Sequence, residues 1–90
     1  MNAENIGIHI FPNPFDNKLT IELSLSKREK MSLSFWDVTG KQIATISDAT
    51  YQPGKYDISL ETEKYHLLPG VYFIKVKLED NTLEQRVVKL

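Results

Sequence analysis

The side chains in this sequence that could do chemistry are few and scattered. The two histidines, His9 and His66, lie far apart in the chain. Neither has a second ligand at helical or strand spacing, whereas a zinc site needs about three or four protein ligands. The absence of cysteine excludes thiolate metal sites, cysteine nucleophiles and disulfides. We therefore predict neither a metal site nor a cofactor.

Hydroxyls and paired carboxylates are the remaining candidates for catalysis. The serines of the alternating segments occupy positions that should face solvent, and none lies in a Gly-x-Ser-x-Gly turn. Glu61 and Glu63 share a strand face by their spacing, but a glycosidase pair needs a cleft between its carboxylates, and nothing here builds one. The four glycines are too dispersed to form a phosphate-binding loop. The domain is therefore predicted not to be an enzyme.

Aromatic side chains offer a more serious alternative, which is carbohydrate binding. Trp36 breaks the inward register set by Leu33 and Phe35, so its side chain should point away from the core. An outward Trp can be a stacking platform for a sugar ring, or it can cover the edge of another sheet or loop. A carbohydrate-binding or fibronectin-like adhesion module of a secreted protein therefore stays open as the alternative function.

Length and charge narrow the class of protein further. A chain of 90 residues is the size of one compact domain, and 41% hydrophobic with 26% charged residues is ordinary for a globular one. The formal net charge of −1 argues against a nucleic-acid partner, which requires clustered Lys and Arg. No apolar run approaches the ~20 residues that cross a bilayer. Residues 1–7 are expected to be a flexible remnant of a linker, and residues 8–90 the folded domain.

The elements that must position any functional residue are strands, because apolar and polar residues alternate with period two along most of the chain. Helical periodicity and internal repeats are not apparent. The pattern predicts an all-β fold, a seven-stranded antiparallel immunoglobulin-like β-sandwich. The predicted strands are Ile8–Phe11, Lys18–Leu25, Met31–Phe35, Gln42–Ile46, Tyr56–Leu60, Val71–Leu78 and Leu83–Leu90.

Turn chemistry separates these strands. Asp37–Gly40 has Asp first and Gly fourth, as in a type I turn, and residues 52–54 read Gln-Pro-Gly, as in a type II turn. Residues 79–82 form a polar hairpin tip. Pro69 cannot donate to a ladder, so pairing of the long strand should begin after it. Residues 61–67 are predicted to form at most a single helical turn.

Several motifs stand in a fixed order along the chain. Pro-Asn-Pro occupies residues 12–14, an aromatic strand ends in Asp-x-x-Gly-Lys at residues 37–41, Gly-x-Tyr occupies residues 70–72, and residues 86–90 are basic and apolar. Each motif alone has a structural interpretation, since Pro-Asn-Pro fixes an extended chain and Asp-x-x-Gly is an ordinary turn. Together, over about residues 8–90, they resemble the type A C-terminal sorting domain of type IX secretion cargo in the Bacteroidetes. The residues that carry the resemblance are Pro12, Asn13, Pro14, Asp37, Gly40, Lys41, Gly70, Tyr72, Arg86, Val88, Lys89 and Leu90.

The resemblance implies a non-catalytic signal attached to the C-terminal side of a larger cargo protein. Its partners would be the outer-membrane type IX translocon and a sortase-like peptidase, which in most relatives removes the domain and joins the cargo to anionic lipopolysaccharide. The cargo would pass through the periplasm to the cell surface or the medium.

The hypothesis for how such a domain is read is recognition of its folded surface. Residues 12–15 would mark where a cleavable connection gives way to the fold. The last strand, with Arg86 and Lys89, would present an edge or a charged end to the translocon, because strand edges can pair with a partner by β-addition. Relatives more often carry Tyr at Trp36 and Lys at Arg86.

Overall fold

The computed structural model describes residues 6–90, which form seven strands and one short 3-10 helix. The helix, Glu63–Tyr65, is the single turn predicted between the fifth and sixth strands. The described residues include no helix long and apolar enough to span a membrane. The strands are β1 (Ile6–Phe11), β2 (Lys18–Leu25), β3 (Glu29–Asp37), β4 (Gln42–Tyr51), β5 (Gly54–Glu61), β6 (Gly70–Lys77) and β7 (Thr82–Lys89).

The strands pair antiparallel in two sheets, which confirms the predicted seven-stranded β-sandwich. The smaller sheet has the order β1-β2-β5 and the larger sheet the order β4-β3-β6-β7. In constant-type immunoglobulin domains the fourth strand lies beside the fifth. Here β4 pairs with β3, because the short turn that follows Asp37 joins the two as a hairpin.

The core lies between the sheets and consists of the inward residues of the alternating strands. In β6 the inward residues Tyr72, Ile74 and Val76 are buried, whereas Leu78 lies just beyond the strand and is half-buried. Burying one large apolar side chain contributes about 1.5–3 kcal/mol, so this layer supplies most of the driving force for folding. The fully buried large side chains are Phe15, Phe35, Leu19, Ile21, Leu23, Met31, Leu33, Ile74, Val76 and Val87.

Every strand except β2 differs from the prediction at one or both ends, by five residues at the end of β4 and by one or two elsewhere. β1 begins at Ile6 rather than Ile8, because Ile6 pairs with Leu25 and is buried. Residues 6 and 7 therefore belong to the fold, while the other residues of the expected linker, 1–5, lie outside the described part of the chain. β4 continues beyond Ile46 to Tyr51, and its length was missed because two register shifts against β3 interrupt its alternation.

Candidate recognition site at one end of the sandwich

Strand pairing brings the motif residues together at one end of the sandwich. Asp37, at the end of β3, lies opposite Tyr72 near the start of β6. Gly70 lies opposite Lys89 of β7, and Phe15 forms an isolated parallel bridge with Lys89. We call this end, composed of residues 12–15, 37–41, 70–72 and 86–90, the motif end.

The Pro-Asn-Pro segment runs along the outer edge of β7 and supplies that edge with hydrogen bonds. Asn13 Oδ1 accepts from the Val88 N–H at 2.9 Å, and Asn13 Nδ2 donates to the Arg86 carbonyl at 3.2 Å. The Phe15 N–H donates to the Val88 carbonyl at 2.8 Å, and the Leu90 N–H donates to the Phe15 carbonyl at 2.9 Å. The Asn side chain carries the donor and acceptor of a peptide group, so here it replaces a strand residue. We call this arrangement the clasp.

The clasp places residues 12–15 inside the fold and occupies part of the edge of β7. Because β1 precedes residues 12–15, they form the β1–β2 connection inside the fold and not the point where a linker ends. The peptide bonds before Pro12 and Pro14 are both cis. The edge of β7 from Arg86 to Leu90 already has hydrogen-bond partners, so β-addition there would first have to displace the clasp.

The two cations of residues 86–90, Lys89 and Arg86, are in different environments. Lys89 Nζ lies 3.3 Å from Asp16 Oδ1 and donates to the Leu90 carbonyl at 3.1 Å, and its side chain is only 14% exposed. The Asp16 side chain is 73% exposed, so this ion pair contributes little to stability. Arg86, by contrast, is exposed. Arg86 is therefore the closing cation best placed to meet a partner.

An aromatic cluster underlies the motif end. The ring of Phe35 lies 6.5 Å from that of Phe15, 5.5 Å from that of Tyr72 and 6.4 Å from that of Tyr65, measured between centroids. Phe15 and Phe35 are completely buried. Three of these rings come from the clasp, the end of β3 and the start of β6. Because the rings pack closely against one another, the three elements hold each other in position. Sequence reasoning assigned no core role to Phe15, although an apolar residue directly after the Pro-Asn-Pro was a usable signal.

Asp37 organises the turn that the sequence predicted. Its Oδ1 accepts from the Thr39 N–H at 2.9 Å, the Thr39 hydroxyl at 2.6 Å and the Lys41 N–H at 3.0 Å. The Gly40 N–H donates to the Asp37 carbonyl at 3.3 Å, and Gly40 takes a left-handed φ of 87°. The bond from the Thr39 hydroxyl, followed by that from the Lys41 N–H, lowers the pKa of Asp37 below its usual value of 3.8.

This lowered pKa predicts a pH dependence of stability. A carboxyl whose pKa is lower in the folded state contributes stability above its unfolded pKa, and that stability is lost as the pH falls through the folded value. The Asp37→Asn variant keeps the acceptor but not the charge. We expect the melting temperature of the wild type to decrease relative to that of the variant as the pH falls below 3.8. Thermal melts of both proteins in a pH series test this, and parallel profiles would contradict it.

Gly70 and Tyr72 shape the start of β6. Gly70 has a φ of 144°, a region that is strained for any residue with a Cβ. The Tyr72 hydroxyl donates to the Leu68 carbonyl at 2.7 Å and so fixes the chain on the other side of the glycine. The same device begins β5, where Gly54 has a φ of 145° and the hydroxyl of residue 56 donates to the carbonyl of residue 52 at 2.6 Å.

The tetrapeptide Pro-Gly-x-Tyr thus occurs twice, at residues 53–56 and 69–72, a repeat that sequence analysis missed. Only the second copy lies at the motif end, since Gly54 pairs with Leu25 at the far end of β2. Part of the motif at residues 70–72 therefore has a structural role in starting a strand.

The two glycines form a matched pair for mutation. A Cβ built on Gly70 or Gly54 has no atom within 4 Å, so any effect of alanine comes from backbone strain. We expect Gly70→Ala and Gly54→Ala each to lower the free energy of unfolding by about 1–3 kcal/mol. Urea unfolding measures both losses. An unchanged midpoint for either variant would show that its glycine conformation is not required.

Trp36 points away from the core, as predicted, and is half-buried on the outer face of the larger sheet. Its Nε1 donates to Ser34 Oγ at 2.7 Å, and Lys75 Nζ lies 4.0 Å from the ring centroid. The ammonium thus makes a cation–π contact with one face of the ring. This arrangement gives the carbohydrate-binding alternative no support.

The two histidines lie in different places: His9 is on β1, and His66 lines a pocket together with Asp37 and Tyr72 of the motif end. His9 Nδ1 is 3.8 Å from Glu22 Oε1 across β1 and β2, and both side chains are at least half exposed. His66 follows the 3-10 helix with a left-handed φ of 52°. Within residues 6–90 no three His, Cys, Asp or Glu side chains are grouped so that they could hold a metal ion.

Comparison of the chain with known proteins identifies its family. A search of curated proteins finds no match. A comparison with protein families matches residues 9–90 to the secretion system C-terminal sorting domain. The match includes every segment of the motif end and nearly the whole chain. The chain therefore belongs to the family of C-terminal sorting domains that serve as signals for type IX secretion.

Proposed function

We propose that this domain directs a cargo protein on its N-terminal side through the type IX translocon, and that the translocon reads the motif end. Family membership implies a sorting signal that interacts with the type IX machinery and is exported across the outer membrane to the cell surface. The observation that supports the motif end is the gathering of motif residues from four separate segments on one packed aromatic cluster. A rigid surface assembled in this way can be recognised without a groove or a catalytic group.

The proposed fate of the domain follows the family pattern. A sortase-like peptidase cuts on the N-terminal side of β1 and joins the cargo to anionic lipopolysaccharide. The domain supplies no catalytic group to this reaction and is its recognition element. A cut before Ile6 leaves the clasp intact, because all of its partners lie between Asn13 and Leu90.

The test is a fusion of residues 6–90 behind a signal peptide and a fluorescent protein, expressed in strains with and without the type IX system. We expect fluorescence at the cell surface or in the medium only in the competent strain. There the released reporter should lack the domain and migrate on gels as a lipopolysaccharide conjugate. Retention in the periplasm of both strains, or release from both, would contradict the proposed function. Export of an uncut reporter would contradict the cleavage step alone.

A further inference from the structure

The outer face of the larger sheet carries an aromatic and basic row that extends beyond the motif residues. Trp36 pairs with Phe73, and Phe73 pairs with Arg86, so these side chains cross β3, β6 and β7 in one line. Lys75 lies in the adjacent row, and Val71 pairs with Val88 on the other side. We call this surface the basic-aromatic face; its members are Trp36, Val71, Phe73, Lys75, Arg86 and Val88.

The charge of this face is mostly of one sign. The charged outward residues of β6 and β7 are three bases, Lys75, Lys77 and Arg86, and one acid, Glu84. Glu84 lies 3.9 Å from Lys75. On the other two strands of the sheet, Lys30 of β3 and Asp48 of β4 also face outward and offset each other, so the outer face keeps an excess of two bases. The apolar members of the basic-aromatic face are only half-buried and lie beside these cations. The domain therefore presents apolar surface framed by positive charge.

The outer face of the smaller sheet has a different character. Its cross-strand pairs include Glu22 with Asp57 and Lys18 with Glu61, so acids and bases are mixed and acids are slightly in excess. Lys55 is exposed there beside Ser24. The two outer faces of one small domain are therefore unlike, and the asymmetry lies in both apolar area and charge.

We propose that the basic-aromatic face docks on an acidic protein surface of the secretion machinery that has an apolar centre. This proposal rests on the proposed function and adds the surface through which the domain contacts the secretion machinery. Trp and Arg are the residue types that most often dominate protein interfaces, and a flat sheet face suits a protein better than a small ligand. Opposite charge around the contact steers the encounter and fixes its register. Because Arg86 and Val88 also belong to the motif end, one partner can cover both surfaces.

An anionic membrane is the less favoured occupant. Lipid-binding surfaces of this kind use clusters of about 4–8 basic residues, more than the two uncompensated cations found here. Lys75, moreover, is already engaged with the Trp36 ring at 4.0 Å and with Glu84. The geometry points to a protein.

Substitution on the two outer faces tests the proposal in the reporter fusion. We expect Trp36→Ala and Arg86→Glu each to reduce secretion at least about tenfold, as for the loss of one interface hot spot. Lys55→Glu, a charge reversal on the other face, should leave secretion unchanged, and Arg86→Lys should keep most of it because the charge remains. Urea unfolding of the isolated domain confirms that each variant is folded.

The outcomes distinguish the proposed function from the proposed docking face. A wild-type fusion that is not exported by the competent strain would overturn the proposed function. A wild-type fusion that is exported together with folded Trp36→Ala and Arg86→Glu variants would overturn the docking face alone. Co-sedimentation of the wild-type domain with anionic phospholipid vesicles at physiological salt, lost on Arg86→Glu, would overturn the protein partner in favour of a membrane.

Discussion

Replacing Phe15 by alanine should lower the free energy of unfolding by about 3–5 kcal/mol, the range for deleting a fully buried aromatic ring. The side chain has no solvent-exposed surface and packs against Phe35 with centroids 6.5 Å apart. Its backbone also holds β7 through bonds to Val88 and Leu90. A domain of this size has a total stability on the order of 5–10 kcal/mol, so the variant should be partly unfolded at growth temperature. Urea unfolding at 25 °C measures the loss.

Phe11→Ala is the matched control for this prediction. Phe11 is the same residue type at the end of β1, but it is 37% exposed and contacts the ring of His9 at 4.9 Å between centroids. We expect its loss to cost less than about 1 kcal/mol, as for most surface positions. Equal losses for the two variants would show that Phe15 is not the packing centre of the clasp.

Deleting Val88–Leu90 should abolish secretion of the reporter in the competent strain. The deletion removes the closing side chains and also the backbone groups that bind Asn13 and Phe15. Extracellular fluorescence should fall to the level of the incompetent strain. Normal secretion of the truncated fusion would exclude residues 88–90 from the recognised surface.

A second variant separates the two causes of that loss. Replacing Val88–Leu90 by three alanines keeps the backbone groups of the clasp and removes the side chains of its closing residues. If the side chains are read, this variant is folded in urea unfolding but is not secreted. Secretion of the alanine variant alongside failure of the deletion would show that the clasp matters and the side chains do not.

The sequence patterns predicted those parts of the fold that depend on near neighbours. The bounds of β2, Lys18–Leu25, follow from strict alternation, because every second residue must be buried. The turn at Asp37 was predictable because its hydrogen bonds stay within four residues. β4 was predicted too short because its edge position and the register shifts at Leu33 and Phe35 blur the alternation.

The clasp could not be predicted in the same way. Asn13 and Val88 are 75 residues apart, and no local propensity marks an Asn side chain that will replace a strand residue. The motif residues were found by resemblance, which gives their positions in the chain but not their contacts. The alignment of Trp36 with Phe73 could not be predicted either, because it depends on the pairing of two distant strands, β3 and β6.

The clasp joins residues that are far apart in the sequence, and this has a consequence for when it can form during synthesis. The ribosome synthesises Asn13 long before Arg86, so the clasp cannot form until β7 has been synthesised. A product that terminates before Arg86 has no partners for Asn13 and lacks the finished surface. Under the proposed function, this contact therefore restricts export to chains in which the domain has been synthesised through its last strand.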